Sequence, residues 1–276
     1  MGSAAIAALE SLLQTKRFDR TLVKPWSADA PVRLAPTGLP ELDRTLGGWR
    51  QGEVSELVGP ASSGRTSVCV AALAAVTAQG GLGALVDAMD QFDPRAADRA
   101  GCDLDRVLWV RGPGVTRSAT PQVLGRALRQ AVRAFDLIVR AGGFPLVVLD
   151  VADMPVRVLR SLPPTTWLRV ARAAEGRKTA CLLVGPMSVG RSARGVTVQL
   201  SAACRWSGAS AQSRRLAGLA ATATTRATHG LFDPTPFVLG APAAPGTPHG
   251  AHRTKHGAPA LSTRHPARST ACSVVS

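Results

Sequence analysis

Residues Gly59-Pro60-Ala61-Ser62-Ser63-Gly64-Arg65-Thr66 carry the spacing of a phosphate-binding loop, with arginine standing where that motif has lysine. In such a loop the backbone N–H groups converge on an anion, and the helix that follows adds its partial positive N-terminal charge. The basic residue reaches the β- and γ-phosphates, and the hydroxyl of Thr66 is placed for Mg²⁺. Arg65 keeps the charge but presents a broad planar fork instead of a compact ammonium. Residues Gly59 through Ser67 are therefore the candidate nucleotide site, for ATP with Mg²⁺, while the arginine weakens the case for efficient hydrolysis. The plainer alternative is a Gly/Ser-rich turn joining a strand to a helix.

A phosphate loop also needs a carboxylate at the end of a neighbouring strand to help hold the cation. Leu146-Val147-Val148-Leu149-Asp150 offers one, about 85 residues after the loop. Thr66 and Asp150 are the candidate metal residues, with Asp153 a lesser substitute and a turn or cap role the alternative for Asp150.

The elements that must position these groups can be read from the pattern. Val54 to Val58 is an apolar strand leading into the loop, and Ser67 to Val76 is a buried helix leading out. Gly83 to Asp87 and Arg106 to Val110 read as strands. Thr120-Pro121 starts a helix running to about Ala141, with a capping hydroxyl and a proline in the first turn. Phe144 to Asp150 and Thr179 to Val184 are further strands, Val196 to Trp206 is a further strand or hairpin, and Trp167 to Ala174 is a helix. Thr37 to Gly48 is a short helix closed by glycines. Short apolar strands alternating with helices predict a parallel sheet covered on both faces.

Together these residues make the chain resemble the RecA-type recombinase family over about residues 35–206. The likeness lies in Thr37-Gly38-Leu39, Leu42-Asp43, Leu46-Gly47-Gly48, Gly59-Pro60 with Ser62-Ser63-Gly64, Val86-Asp87-Ala88 with Asp93-Pro94, and Leu146 to Asp150. Within that family the chain looks most like ImuA, the divergent RecA-like partner of bacterial mutagenic translesion synthesis. The resemblance implies an α/β RecA-like P-loop NTPase core with a parallel-rich central sheet and flanking helices. It also implies a docking role for the first helix by way of Leu9, Leu12 and Leu13, in self-association on a second copy, on its own core or on another protein.

The departures from the family pattern bear on activity. The family's catalytic glutamate follows the Asp-Ala of the second strand, where this chain has Met89, and a thioether cannot accept a proton. Asp87 and Asp90 are the remaining weak candidates for a base. Gly185-Pro186-Met187 stand where the family carries a polar switch that senses the γ-phosphate. The DNA-binding loops that the family has after Asp150 and after Val184 are shortened here. Arg191 and Arg194 in the second, with the pair Arg214-Arg215, are the candidate DNA contacts; a solvated surface is the alternative for the pair. The reading that follows is a nucleotide-binding accessory of DNA repair and SOS damage tolerance, weak in hydrolysis and acting with an error-prone polymerase or a polymerase-like protein. An active single-stranded-DNA-dependent ATPase or recombinase is one alternative, and a KaiC-like regulatory ATPase another.

Composition narrows the field. The net charge is +15, yet residues 1–175 hold 21 basic and 17 acidic side chains while residues 176–276 hold 12 and one, Asp233. That asymmetry suggests a polyanionic partner such as DNA; arginine-rich coding is the competing account. All five histidines fall at or after His229, so a histidine base within the core is not expected. The five cysteines form no C-x-x-C pair, which argues against a zinc site or disulfide framework. No run approaches the about 18 apolar residues of a membrane span. A cytoplasmic, nucleoid-associated protein without membrane contact is expected. The organisation expected is an N-terminal helix over 1–24, a linker over 25–36, the nucleotide-binding core over 37–208, and a basic, largely disordered tail over 209–276. The tryptophans, dispersed through the chain, are expected in core or interface rather than as a stacking platform.

Overall fold

A computed structural model describes residues 33–227, 230, 231 and 233–240. They fall in one of the chain's two compact units, residues 1–242, and residues 243–276 form the other, which lies outside the described residues. The helix expected over 1–24 lies outside them as well.

The described chain enters through an antiparallel ribbon of β1 (Leu34–Ala35) and β2 (Trp49–Arg50), which brackets α1 (Pro40–Leu46). The central sheet then takes shape from β3 (Val54–Val58), β4 (Gly83–Asp87), β5 (Val107–Arg111), β6 (Leu146–Asp150), β7 (Ala180–Gly185) and β8 (Thr197–Ser207), all parallel. Helix α2 (Arg65–Ala78) connects β3 to β4, α3 (Pro94–Arg99) precedes β5, and α4 (Pro121–Ala141) leads to β6. After β6 come α5 (Val156–Leu159) and α6 (Pro164–Ala174). Beyond β8 the sheet continues antiparallel through β9 (Arg215–Ala227), which pairs with both β10 (Gly230–Leu231) and β11 (Thr235–Gly240). The full nine-stranded order is β10-β9-β8-β3-β7-β6-β4-β5, with β11 also on β9.

The local reasons are visible in the residues. Strands β3, β4 and β7 are buried along their whole length, as strands covered on both faces must be. One face is sealed by α2 through Val68, Leu73 and Val76, together with Trp49 and Leu42. The other is sealed by α4 and α6 through Leu124, Leu128, Phe135 and Trp167. Helix α4 starts as its sequence requires, with the Thr120 hydroxyl accepting from the Val123 N–H and Pro121 in the first turn. Its arginines Arg126, Arg129 and Arg133 face outward.

Two boundaries expected from the sequence are corrected. The linker expected over 25–36 ends in β1, whose residues pair with Trp49 and Arg50. The core expected to stop at 208 runs on to Gly240. Strand β9 pairs with β8 from Thr197↔Arg226 to Ser207↔Arg215, and Ala221, Ala223, Thr225, Phe237 and Leu239 are buried. The inward positions of β9 are alanine and threonine, so a search for large apolar side chains passes over them. Small side chains suffice there because the strand's covering comes from Phe237 and Leu239 of β11 and from the α2 side of the sheet.

Leu239→Ala is expected to destabilise the protein by about 2–5 kcal/mol, read from urea unfolding. A chain cut at Gly208 should lose cooperative unfolding; a sharp transition in that truncated chain would restore the shorter core.

Candidate functional site

The ends of β3, β6, β4 and β7 meet on one side of the sheet, where an open α/β sheet forms its ligand crevice. The phosphate-type loop leaves β3 there. Its Gly59 N–H donates to the Gly185 carbonyl at the end of β7, at 3.3 Å, and the Ser63 N–H donates to the Pro60 carbonyl. Ser62 holds φ 61° and Gly64 φ 91°, so the backbone curls before α2 begins at Arg65. A side chain on Gly64 would be strained at that φ, and its Cβ would meet Leu239 Cδ1 at 2.5 Å. Thus β11, which sequence reasoning missed, packs directly behind the loop.

Pro60, Ala61, Ser62, Thr66 and Ser67 are exposed, whereas Ser63, Gly64 and Arg65 are buried. Arg65 is only 6% exposed, yet its Nη1 has no hydrogen-bond partner, and neither has the buried Ser63 Oγ. Two orphaned polar groups in one glycine loop are unusual in a native structure, because each buried unsatisfied group costs about 1–3 kcal/mol. Burial lowers the Arg65 guanidinium from its ordinary value; the Asp150 charge opposes that drop and Arg117 adds to it.

Asp150 ends β6 directly beside Asp87 at the end of β4. Burial pushes the Asp150 carboxyl up to about 6, against the downward pull of the Ala152 N–H that it accepts at 2.8 Å. The neighbouring Asp87 raises it further and Arg65 lowers it. Arg65 and Asp150 are thereby brought into one electrostatic unit with the loop. Among the described residues, no three histidine, cysteine or acidic side chains stand together as a metal cage.

The candidate bases are engaged elsewhere. Asp87 accepts the Met89 N–H on one oxygen, at 3.3 Å, and the Phe92 N–H on the other, at 2.8 Å. Asp90 receives a two-pronged pair from Arg111, at 2.9 and 2.8 Å, which holds its carboxyl below the usual range. Met89 itself is buried in the apolar cluster that includes Leu124 and Leu128. Asp153 pairs with Arg117.

Of the candidate DNA contacts, Arg191 donates to the carbonyls of Ser192, Ala193 and Gly195, and Arg194 pairs with Glu53 at 2.5 Å. Arg214 and Arg215 stand far from that loop in sequence, at the head of β9, and both are exposed. The loop carrying Arg191 is itself shaped by Glu56, a residue that sequence reasoning also missed. Fully buried on β3, Glu56 accepts from the N–H groups of Val189 and Gly190, both at 2.7 Å. It also accepts from the hydroxyls of Ser188, at 2.5 Å, and Thr197, at 2.7 Å. An acid in the middle of an apolar strand was the available signal, since a charge is rarely buried unless it is fully partnered.

An open, mostly parallel sheet with a glycine loop opening a helix at the strand ends defines the class: an α/β protein of the phosphate-loop type. Residues 9–157 match the RecA N-terminal domain, and the chain belongs to the RecA family. Protein RecA of Frankia alni is 36% identical over 122 residues, covering 44% of this chain and 32% of that one. Protein RecA of Clavibacter michiganensis subsp. michiganensis is 37% identical over 123 residues, 44% of this chain and 30% of the relative. That of Leifsonia xyli subsp. xyli is 36% identical over 151 residues, 53% and 38% respectively. The matched region thus spans about a third of the length of these relatives.

Two outcomes test this geometry. The folded Asp150 carboxyl keeps its proton up to about pH 6, whereas an unfolded aspartate releases it near about 4. Stability should therefore fall as pH rises between those values and level off above them. Asp150→Asn should remove that part of the slope, read as urea midpoints at pH 4.5 and 7.5 against the parent chain. Glu56→Leu, which leaves four donors without an acceptor, is expected to cost about 3 kcal/mol or more, and protease cleavage within 186–195 would report the freed loop.

Proposed function

We propose that this chain is a RecA-like ATP-binding accessory of DNA damage tolerance, slow in hydrolysis and working beside an error-prone polymerase in translesion synthesis. The observation that carries nucleotide binding is the pair of orphaned polar groups, Arg65 Nη1 and Ser63 Oγ, buried within the glycine loop. A polyphosphate supplies the acceptors they lack, and the N-terminus of α2 adds the favourable field. Thr66 and Asp150 would hold the accompanying Mg²⁺, which on binding neutralises phosphate charge. Asp150, whose carboxyl titrates at about 6, would favour cation binding once the pH rises above that value.

Slow turnover is supported by what surrounds the site. Met89 offers no base, Asp87 spends both oxygens on the backbone, and Asp90 is locked to Arg111. Loss of a positioned general base costs about 10²–10⁴-fold in rate. The side chains of Gly185-Pro186-Met187 cannot hydrogen-bond a phosphate, so the end of β7 lacks a sensor for nucleotide state. A chain that holds nucleotide without spending it acts through its surfaces. The polymerase partner, SOS involvement and location at the nucleoid rest on the resemblance to ImuA.

Titration of a fluorescent ATP analogue with Mg²⁺ should show saturable binding, weakened at least about tenfold in Arg65→Ala, where the charged phosphate contact is lost. Phosphate release should stay near background with and without single-stranded DNA. Strong DNA-stimulated release, abolished in Arg65→Ala, would make the protein a working motor instead. Copurification with an error-prone polymerase homologue should survive Arg65→Ala, since the contact is assigned to surfaces outside the loop.

A further inference from the structure

Helices α4 and α6 cover the same face of the sheet. Leu124, Leu128 and Phe135 of α4 share one apolar cluster with Trp167 and Val170 of α6. Just past α6, the Arg177 guanidinium donates to the Arg140 carbonyl of α4 at 2.9 Å, so the two helices end side by side. Their inner faces are committed to the core, and their outer faces are basic. Between Pro121 and Lys178 the chain has ten basic side chains and four acidic ones. Three of those acids are engaged: Asp136 pairs with Arg140, Asp153 pairs with Arg117, and Asp150 belongs to the loop site. Arg126, Arg129 and Arg133 of α4 and Arg169 and Arg172 of α6 are all exposed. Among the described residues none of them is in an ion pair.

Large apolar side chains stand among these cations. Leu137 is 59% exposed and Leu168 61%. Helical spacing sets Leu137 one turn from both Arg133 and Arg140, and Leu168 one turn before Arg172. Val123, a turn before Arg126, is exposed as well. The two aromatic residues of these helices, Phe135 and Trp167, are buried. The outer layer is therefore cationic and aliphatic, without an open ring.

We propose that the outer face of α4 and α6 docks an acidic amphipathic helix of a partner protein. The arginines meet its carboxylates, and Leu137 and Leu168 meet its apolar stripe. Cations alone suit any polyanion, and the leucines decide between them. A nucleic acid would leave both leucines against phosphate, with no ring on which a base could stack. A bilayer surface would need an apolar helix face free to sink into it, and both helices have spent theirs on the sheet. The shallow channel between neighbouring helices takes a third helix by the ridges and grooves that pack the first two. Arginine is enriched in protein interfaces and pairs with carboxylates through two parallel hydrogen bonds. This face lies on the side of the sheet away from α2, so the inference goes beyond the nucleotide reading and does not depend on it.

The test uses the full chain and a fluorescein-labelled peptide of about 20 residues, with leucine at every third or fourth position and glutamate or alanine elsewhere. Anisotropy should show saturable binding that weakens as salt rises. The variant Arg126→Gln, Arg129→Gln, Arg133→Gln should bind at least about tenfold more weakly and with a shallower salt dependence. The pair Leu137→Gln, Leu168→Gln should lose about tenfold while keeping the salt dependence. Removing the same charge across the sheet, Arg44→Gln, Arg95→Gln, Arg99→Gln, should leave affinity unchanged. No binding by the parent chain, or equal losses in the two arginine variants, would overturn the assignment. So would polyglutamate of the same length bound as tightly as the leucine peptide, since charge alone would then suffice. Displacement of the peptide by oligothymidylate or by anionic phospholipid vesicles at lower concentration than by unlabelled peptide would give the face to those ligands instead.

Discussion

The carboxylate of Glu56 is the constraint on which much of this structure turns. It sits fully buried on the strand that feeds the phosphate-type loop, and it takes four hydrogen bonds from the loop after β7 and from the start of β8. A buried charge is tolerable only when its acceptor sites are filled. Meeting that requirement fixes where the chain returns after β7 and how β8 docks on β3. The hydrogen bond from the Val54 N–H to the Ser192 hydroxyl, at 2.8 Å, and that from the Val196 N–H to the Ser55 hydroxyl close the same seam. The position of β8 in turn sets the start of the β8–β9 ribbon.

Around the loop, the balance between charge and burial is different. Arg65 and Asp150 each pay a desolvation penalty that the other only partly offsets, and the loop retains two polar groups without partners. Such a site is held in place by its surroundings rather than by its own contacts. Leu239 behind Gly64 and the Gly59–Gly185 hydrogen bond provide that support from opposite sides. The acids nearby are arranged the other way. Asp87 and Asp90 are well satisfied, which steadies the turn after β4 and leaves neither oxygen pair poised to take a proton.

The antiparallel extension of β9, β10 and β11 joins these two regions. Its inner part packs against the α2 side of the sheet and, through Leu239, against the loop, and the outer end of β9 carries the exposed Arg215 beside Leu216, which pairs with Trp206 of β8. The Thr45 and Thr235 hydroxyls, 3.0 Å apart, tie the same extension to α1. Strand β9 is thus shared by both regions, paired with β11 behind the loop and with β8 where the arginines are exposed.

The sequence by itself determined the parts whose signals are local. The loop motif, the apolar strands from Val54 to Val184, the Thr120-Pro121 helix start and the acid ending β6 follow from residue type and spacing within a few positions. Over that stretch the parallel α/β order was legible before any contact was known. Tertiary structure alone decided the rest, because the deciding quantity was which atoms meet across long separations. Alanines and threonines in β9 become core only when Phe237 and Leu239 cover them, and Glu56 becomes a structural anchor only when residues 188–197 fold over it. The same holds for Asp87 and Asp90, which read as free acids until the backbone and Arg111 claim them. Trp206 is the reverse case, since it read as core or interface and stands in solvent because its strand outruns the helices that cover its neighbours.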